Sequence, residues 1–145
     1  MYFGNFEHSL DNKGRLLIPR QLKSGLNEGS KLYIMKGYEG CLSVYNEDEF
    51  NKLIKECSSL SYKKKNSRAY LRIMLSSVVE LVVDKVGRIQ LPVSILTKYQ
   101  IGKQVTIVGV GDHFEIWDLE AFNKYQAEAN ENFEEIAESL VKDDE

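Results

Sequence analysis

One short pattern of residues that could do chemistry occurs twice in the chain, with the spacing Asp-x-x-Gly-Arg. The pattern comprises Asp11, Gly14 and Arg15 in its first copy and Asp84, Gly87 and Arg88 in its second. Glycine lets the chain turn with a positive φ, and the aspartate can accept backbone N–H bonds that fix the loop. Two roles are then open to the arginine. It pairs with the aspartate to stabilise the turn, or it projects from a rigid loop toward phosphate or the edge of guanine.

Basic residues next to the two motifs would serve the second of these roles. Lys13 lies inside the first loop and Lys85 inside the second, while Arg20 follows directly after Pro19. Lysines at such positions can contact phosphate, and Arg20 is a candidate for a further phosphate contact. The short pattern by itself leaves both the structural and the binding interpretation open.

The remaining chemically active side chains form no recognisable catalytic or metal motif. His8 and His113 are the only histidines, and neither has the neighbours of a nucleophile or metal-ligand pattern. Cys41 and Cys57 stand apart without a ligand-spaced histidine, so we expect buried thiols and neither a disulfide nor a zinc site. Residues 109–111 (Gly-Val-Gly) are too short for a phosphate-binding loop and are typical of a hairpin. The sequence therefore predicts no catalytic residue, no metal, no cofactor and no small-molecule substrate.

The two motif copies belong to a duplication that extends over most of the chain. An offset of 73 residues relates the motifs and also relates residues 32–34 to 105–107, and an offset of 72 relates Tyr45 to Trp117. Two long units of this kind indicate two copies of one fold, because a solenoid needs three or more shorter repeats. A unit of about 70 residues buries too little apolar surface to be stable alone, so we expect the halves to share one core.

Each repeat is predicted to contain a strand, a tight turn, a second strand, a short helix, a hairpin and a longer helix. In the first copy, Pro19 ends the second strand and begins a short helix over residues 20–26. Asn46, with Glu49 three positions later, is typical of the cap of a helix over residues 47–60. The final helix, after Asp118, is predicted to be longer than its counterpart in the first copy.

These elements divide the chain into three parts. Residues 1–60 form the first repeat, residues 61–76 a basic linker with a short helix from residue 68, and residues 77–145 the second repeat with an extended acidic C-terminal helix. The apolar run at residues 78–83 is typical of a strand that is covered on both faces, so we expect its sheet to be central in the fold. The C-terminal helix beyond about residue 126 has no equivalent in the first repeat, which makes it a candidate for contacts between subunits.

The formal net charge of −3 conceals an uneven distribution of charge. Residues 126–145 hold eight acids and one base, which leaves 18 bases against 14 acids in residues 1–125 and a net charge there of about +4. The acidic end therefore either masks a mildly basic body or is simply a solvated face. No apolar run approaches the roughly 20 residues that span a bilayer, and the N-terminal residues lack the pattern of an export signal. We expect a cytoplasmic protein.

Several motifs, in the same order and at the same separations, resemble the MraZ family of bacterial regulators. Besides the paired Asp-x-x-Gly-Arg motifs, these are residues 2–4 (Tyr-Phe-Gly), 8–11 (His-Ser-Leu-Asp), 40–45 (Gly-Cys-Leu-Ser-Val-Tyr), 108–109 (Val-Gly) and 114–118 (Phe-Glu-Ile-Trp-Asp). The resemblance covers roughly residues 2–125. It implies two tandem swapped-hairpin barrels of the AbrB type in one chain, ring-like oligomers, and binding to repeated promoter sites of the division and cell wall gene cluster.

The sequence and the resemblance together predict an α+β, β-rich fold with two pseudo-symmetric swapped-hairpin (AbrB-like) halves in one compact domain with flanking helices. The expected function is that of a sequence-specific, nucleoid-associated transcriptional regulator whose partners are double-stranded DNA and further copies of itself. The expected DNA contacts are Lys13, Arg15, Arg20, Lys85 and Arg88, with loops supported by Asp11, Gly14, Asp84 and Gly87. The alternative is a non-catalytic oligomeric scaffold that binds proteins through its acidic helix. Antitoxin-like AbrB proteins are further relatives, but they carry one copy of the motif.

Overall fold

The computed structural model describes residues 1–143, which form a mixed α and β structure. Its strands are β1 (Asn5–Ser9), β2 (Arg15–Leu17), β3 (Lys31–Lys36), β4 (Leu42–Asn46), β5 (Val79–Val82), β6 (Arg88–Gln90), β7 (Gln104–Gly109) and β8 (Phe114–Asp118). Its α-helices are α1 (Glu47–Ser58), α2 (Lys65–Ser76), α3 (Val93–Lys98), α4 (Leu119–Glu131) and α5 (Phe133–Asp143). No helix within these residues is long and apolar enough to cross a membrane.

The two halves of the chain exchange strands. Six strands form one antiparallel sheet in the order β1-β7-β8-β4-β3-β5, and β2 pairs with β6 in a separate two-stranded ribbon. In this sheet β1 of the first half pairs with β7 of the second, and β5 of the second half pairs with β3 of the first. Each half thus adds one strand to the hairpin of the other half, β1 to the hairpin of β7 and β8 and β5 to the hairpin of β3 and β4. This exchange confirms the predicted pair of swapped-hairpin halves.

The core is shared because equivalent residues of both halves pack into one cluster. Leu16 and Ile89, one from each strand of the ribbon, are 0% and 1% exposed. The other fully buried pairs at an offset of 73 are Ile18 with Leu91, Leu32 with Val105, and Ile34 with Ile107. Neither half contains a complete core of its own, which explains why two units that are marginal alone are stable together.

The sequence-based prediction that the strand at residues 78–83 is covered on both faces is wrong. Strand β5 lies at the edge of the six-stranded sheet and has β3 as its only neighbour there. Its residues alternate between half-buried and exposed, so that Val79 and Leu81 pack toward the core while Val82 is 54% exposed. A continuous apolar run is compatible with burial of both faces, but the strand exchange gives this strand a covered face and an open one.

The helices differ from the predicted ones mainly at their ends. The short helix expected over residues 20–26 is a single 3-10 turn at Arg20–Leu22, and the chain soon turns at Gly25, which has φ 78°. Asn46 caps α1 as predicted, with its side chain accepting a bond from the Glu49 N–H at 2.8 Å. Helix α2 starts at Lys65, earlier than the predicted residue 68.

The predicted extended C-terminal helix consists of two helices, α4 and α5, separated at Asn132. Phe122 anchors α4, since its ring packs edge-on against Trp117 at 5.2 Å between centroids, over the buried Cys41. Tyr125 also contacts Trp117. Beyond Tyr125 most residues of α4, and the side chains of α5 as far as Val141, are exposed to solvent.

Candidate nucleic-acid interface

The first Asp-x-x-Gly-Arg loop is built around the carboxylate of Asp11. Its Oδ1 accepts the backbone N–H groups of Lys13 and Arg15 at 2.9 and 2.8 Å, and its Oδ2 accepts Nε of Arg15 at 2.6 Å. The Asp11 carbonyl accepts the Gly14 N–H at 3.0 Å. These bonds, first of all the one from the Arg15 backbone, hold the pKa of Asp11 below its usual value. The carboxylate therefore fixes both the loop and the direction of the Arg15 side chain.

The second loop repeats this arrangement bond for bond. Asp84 accepts the backbone N–H groups of Val86 and Arg88 at 2.9 and 2.8 Å and Nε of Arg88 at 2.9 Å. The backbone bond from Arg88 is the largest cause that lowers the pKa of Asp84 to about 2. The structural role that the sequence left open is thus present in both copies.

A pH dependence of stability follows from the second loop. Because the pKa of Asp84 is lower in the folded protein than its ordinary value of 3.8, its ionised form stabilises the fold. That contribution is fully present above the ordinary value and is lost as the pH falls toward 2. We expect Asp84→Asn to lower the urea midpoint most near neutral pH and progressively less below about pH 4. A difference from the unmodified protein that stays constant down to pH 2 would contradict this account.

The ribbon of β2 and β6 places the two arginines on one open face. Arg15 lies opposite Gln90, and Leu17 lies opposite Arg88. Every second residue of a strand points to the same side of the sheet. Two residues that lie directly opposite each other on paired strands also point to the same side. Leu16 and Ile89 form the middle pair of the ribbon and point into the core. The opposite face of the ribbon therefore carries the two arginines, at diagonal corners. The Arg15 and Arg88 side chains are 32% and 30% exposed.

Each loop is also held by the opposite half of the chain. The Leu91 N–H donates to the Gly14 carbonyl at 2.9 Å, and the Ile18 N–H donates to the Gly87 carbonyl at 3.0 Å. Nε2 of Gln90 adds a bond of 3.1 Å to the Lys13 carbonyl. The two loops are therefore parts of one rigid unit, and neither can shift without disturbing the ribbon.

The two motif glycines should differ in their tolerance of a side chain. Both have positive φ, 76° at Gly14 and 92° at Gly87. A Cβ at Gly14 would lie 2.7 Å from the Leu91 carbonyl oxygen, whereas one at Gly87 would meet the end of the flexible Lys23 side chain. We expect Gly14→Ala to lower the free energy of unfolding by about 2–3 kcal/mol and Gly87→Ala by about 1–2 kcal/mol. Urea denaturation measures both, and equal losses would mean that the first loop moves to admit the methyl group.

The other predicted contact residues lie around these loops. Lys13 and Lys85 are exposed inside the loops, and Arg20 is exposed on the 3-10 turn after Pro19. Sequence reasoning missed Lys23, whose side chain reaches the second loop at Gly87. The duplication gave no signal for it, because the equivalent position in the second copy holds Leu96.

The side chains around the two loops differ. Lys23 lines a depression of about 240 Å³ beside the second loop, together with Lys85 and Glu28. The corresponding depression beside the first loop, also about 240 Å³, is lined by Val93, Leu96 and one base, Lys103. Val93, 71% exposed, stands where the first copy has Arg20. The second loop therefore has more charged side chains of both signs beside it, whereas the first has more apolar ones.

The histidines and cysteines do not converge on a common site. His8 pairs with Val105 at one end of β7, while His113 follows the other end, stacked on Tyr45 at 4.3 Å with Nδ1 2.7 Å from Asp112 Oδ1. Both cysteines are buried free thiols, as expected, and burial raises their pKa values. Within residues 1–143, no group of three or more His, Cys, Asp or Glu side chains is arranged to hold a metal ion.

A comparison with protein families gives a match to both repeats. The family described as "MraZ protein, putative antitoxin-like" matches residues 1–73 and again residues 74–144. The double match follows the duplication seen in the motifs, in the paired strands and in the shared core. The chain therefore belongs to the MraZ family.

Proposed function

We propose that this protein is a sequence-specific, DNA-binding transcriptional regulator. The observation that carries the proposal is the pair of loops with equivalent hydrogen bonds that present Arg15 and Arg88 at diagonal corners of the open face of one ribbon. Membership of a regulator family supports it. No cofactor takes part in this function.

The geometry suits recognition of a base edge. In each loop, Nε is the one guanidinium nitrogen that donates to the aspartate, and within residues 1–141 no other group accepts a hydrogen bond from the guanidinium. The terminal nitrogens can then donate a bidentate pair to O6 and N7 of guanine. Because the aspartate already restricts the side chain, little conformational entropy is lost on binding.

The neighbouring bases would position the ribbon on the phosphate backbone. Lys13, Lys85 and Arg20 are exposed, and no carboxylate within residues 1–141 lies within salt-bridge distance of them. Such contacts carry no sequence information, but they supply affinity that falls as the salt concentration rises. Lys23 extends this basic surface beside the second loop.

The net negative charge of the chain is compatible with this function because the acids are concentrated elsewhere. Eight of them lie in residues 126–145, away from the ribbon in sequence and mostly on α4 and α5. Asp144 and Glu145, which belong to this acidic end, lie outside the described residues. The body that carries the ribbon has an excess of about four bases over residues 1–125.

A single chain offers only a small basic surface, so we infer that it acts as a ring-like homo-oligomer. Linked subunits would engage successive repeats in a promoter and raise the affinity through effective concentration. The promoter of the division and cell wall gene cluster is the proposed target, and a nucleoid-associated location in the cytoplasm is part of the proposal. Because the side chains around the two loops differ, we infer that one motif copy contributes more to DNA contact than the other.

A gel shift with the DNA upstream of the protein's own gene tests the proposal. We expect retarded complexes that weaken steeply as the salt concentration rises, and weaker retardation of an unrelated fragment of equal length. No shift at low salt would overturn DNA binding and would favour the alternative, a non-catalytic scaffold that binds proteins through its exposed acidic helices.

A further inference from the structure

Helix α5 carries an apolar stripe that nothing in its own chain covers. Phe133, Ile136 and Leu140 recur at spacings of three and four residues, which places them on one face of the helix. They are 65%, 46% and 60% exposed. Eleven residues at about 1.5 Å each make α5 roughly 16 Å long, and it follows the part of α4 that has already left the core. Such a stripe on a projecting helix marks a docking element.

The charges beside this stripe are all acidic as far as the side chains are described. Glu134 and Glu135 occupy the first turn of α5, and Glu138 follows one turn later. Within residues 1–141 none of the three lies within salt-bridge distance of a base. Pairing of α5 with another α5 would bring these carboxylates together, and like charges oppose such contact. We therefore expect the surface that binds this face of α5 to be apolar and to have basic side chains beside it.

An apolar groove next to a basic segment lies between α1 and α2. It has a volume of about 430 Å³, Leu53, Leu60 and Tyr70 provide apolar lining, and the charged side chain in its lining is Glu56, on the α1 wall. Residues 61–65, which join its two walls, include Lys63, Lys64 and Lys65. Helix α2 also carries Arg68 and Arg72, which lie outside the lining and bond to residues 62–63, and it contains no acidic residue. No residue of α5 lines the groove, which is open in the single chain.

We propose that α5 of one chain docks in the groove between α1 and α2 of a second copy. The apolar stripe packs on the apolar lining, and the glutamates face the lysines of the connecting segment. The two surfaces are different, so each chain can give α5 to one neighbour and receive it from another, which is the head-to-tail contact that closes a ring. The inference rests on the oligomeric part of the proposed function and names the surfaces that build it.

Light scattering on the full chain tests the contact through the particle mass. We expect the unmodified protein to have a mass several times the 16.7 kDa of one chain. Ile136→Ser with Leu140→Ser should raise the dissociation constant by about tenfold or more, because both apolar contacts are lost. Val110→Ser, at a residue 45% exposed in the hairpin between β7 and β8, is the matched control and should leave the mass unchanged.

Charge exchange tests the identity of the receiving surface. Reversal of the α5 glutamates (Glu134→Lys, Glu135→Lys, Glu138→Lys) should reduce the mass, and so should reversal of the lysines (Lys63→Glu, Lys64→Glu, Lys65→Glu). A mixture of the two variants should recover association, since each supplies a partner for the other. All of these side chains are exposed, so we expect the variants to fold like the unmodified protein. Circular dichroism melts check this.

Three outcomes would overturn parts of the argument separately. A monomeric unmodified protein would remove both this inference and the proposed ring. An oligomer whose mass is unchanged in the α5 variants would overturn the docking contact alone and leave the ring standing. Loss of association without recovery in the mixture would assign α5 to a receiving surface other than the proposed groove.

Discussion

We expect the double variant Arg15→Ala, Arg88→Ala to lose about 2–6 kcal/mol of specific DNA binding, since each base-reading arginine contributes about 1–3 kcal/mol and this range is the sum of the two. Fluorescence anisotropy with the upstream DNA fragment measures the loss. Binding to an unrelated fragment should fall much less, because phosphate contacts remain. The single variants, measured in the same way, show which motif copy contributes more to recognition.

Stability must be followed in the same samples because each arginine also pairs with an aspartate. These pairs are about one-third exposed, and such exposed pairs contribute little to stability. Lys52→Ala is a matched control, since it removes one exposed positive charge from α1. Arg15→Lys should restore only part of the affinity, because lysine lacks the planar pair of donors. A lower melting temperature with unchanged affinity would mean that the arginines serve only the loops.

Much of the fold could be predicted from the duplication and from size. Two units of about 70 residues could not each bury a sufficient core, and the observed solution is exchange of strands around equivalent residues such as Leu16 and Ile89. The mistaken prediction of a strand covered on both faces has a physical cause. The hydropathy of residues 78–83 reports local composition, whereas an edge or central position depends on which distant strands pair with it. The residues of β5 and its neighbours in the sequence do not determine which strand β5 pairs with.

The geometry of the loops could be predicted only in part. The sequence left open whether Asp11 and Arg15 are a structural pair or a binding device, and the structure shows the pair in both copies. Lys23 was missed because it lies outside the motif and reaches the loop of the other half only after the strands exchange. The break at Asn132 was missed because the apolar spacing continues from α4 into α5 while the backbone does not.

If linked subunits read successive repeats, the spacing of those repeats on the DNA must matter. We expect an insertion of half a helical turn, about 5 base pairs, between two repeats to weaken binding by about a hundredfold or more. The insertion rotates one repeat to the opposite face of the duplex, where a second ribbon of the same oligomer cannot reach it. Affinity then falls toward that of a single repeat, because the gain from effective concentration is lost. Anisotropy titrations of DNA fragments with zero, half-turn and full-turn insertions measure the effect.

The full-turn insertion is the control that separates rotation from distance. About 10 added base pairs return the repeat to the same face of the duplex, so most of the affinity should come back if the oligomer can span the extra length. A single-repeat fragment supplies the lower limit, and its affinity should be the same for the unmodified protein and for the uncharged α5 variant Ile136→Ser, Leu140→Ser, which leaves the net charge unchanged. Equal affinity for all three insertions would contradict simultaneous binding, since each ribbon would then be reading its repeat independently of the others.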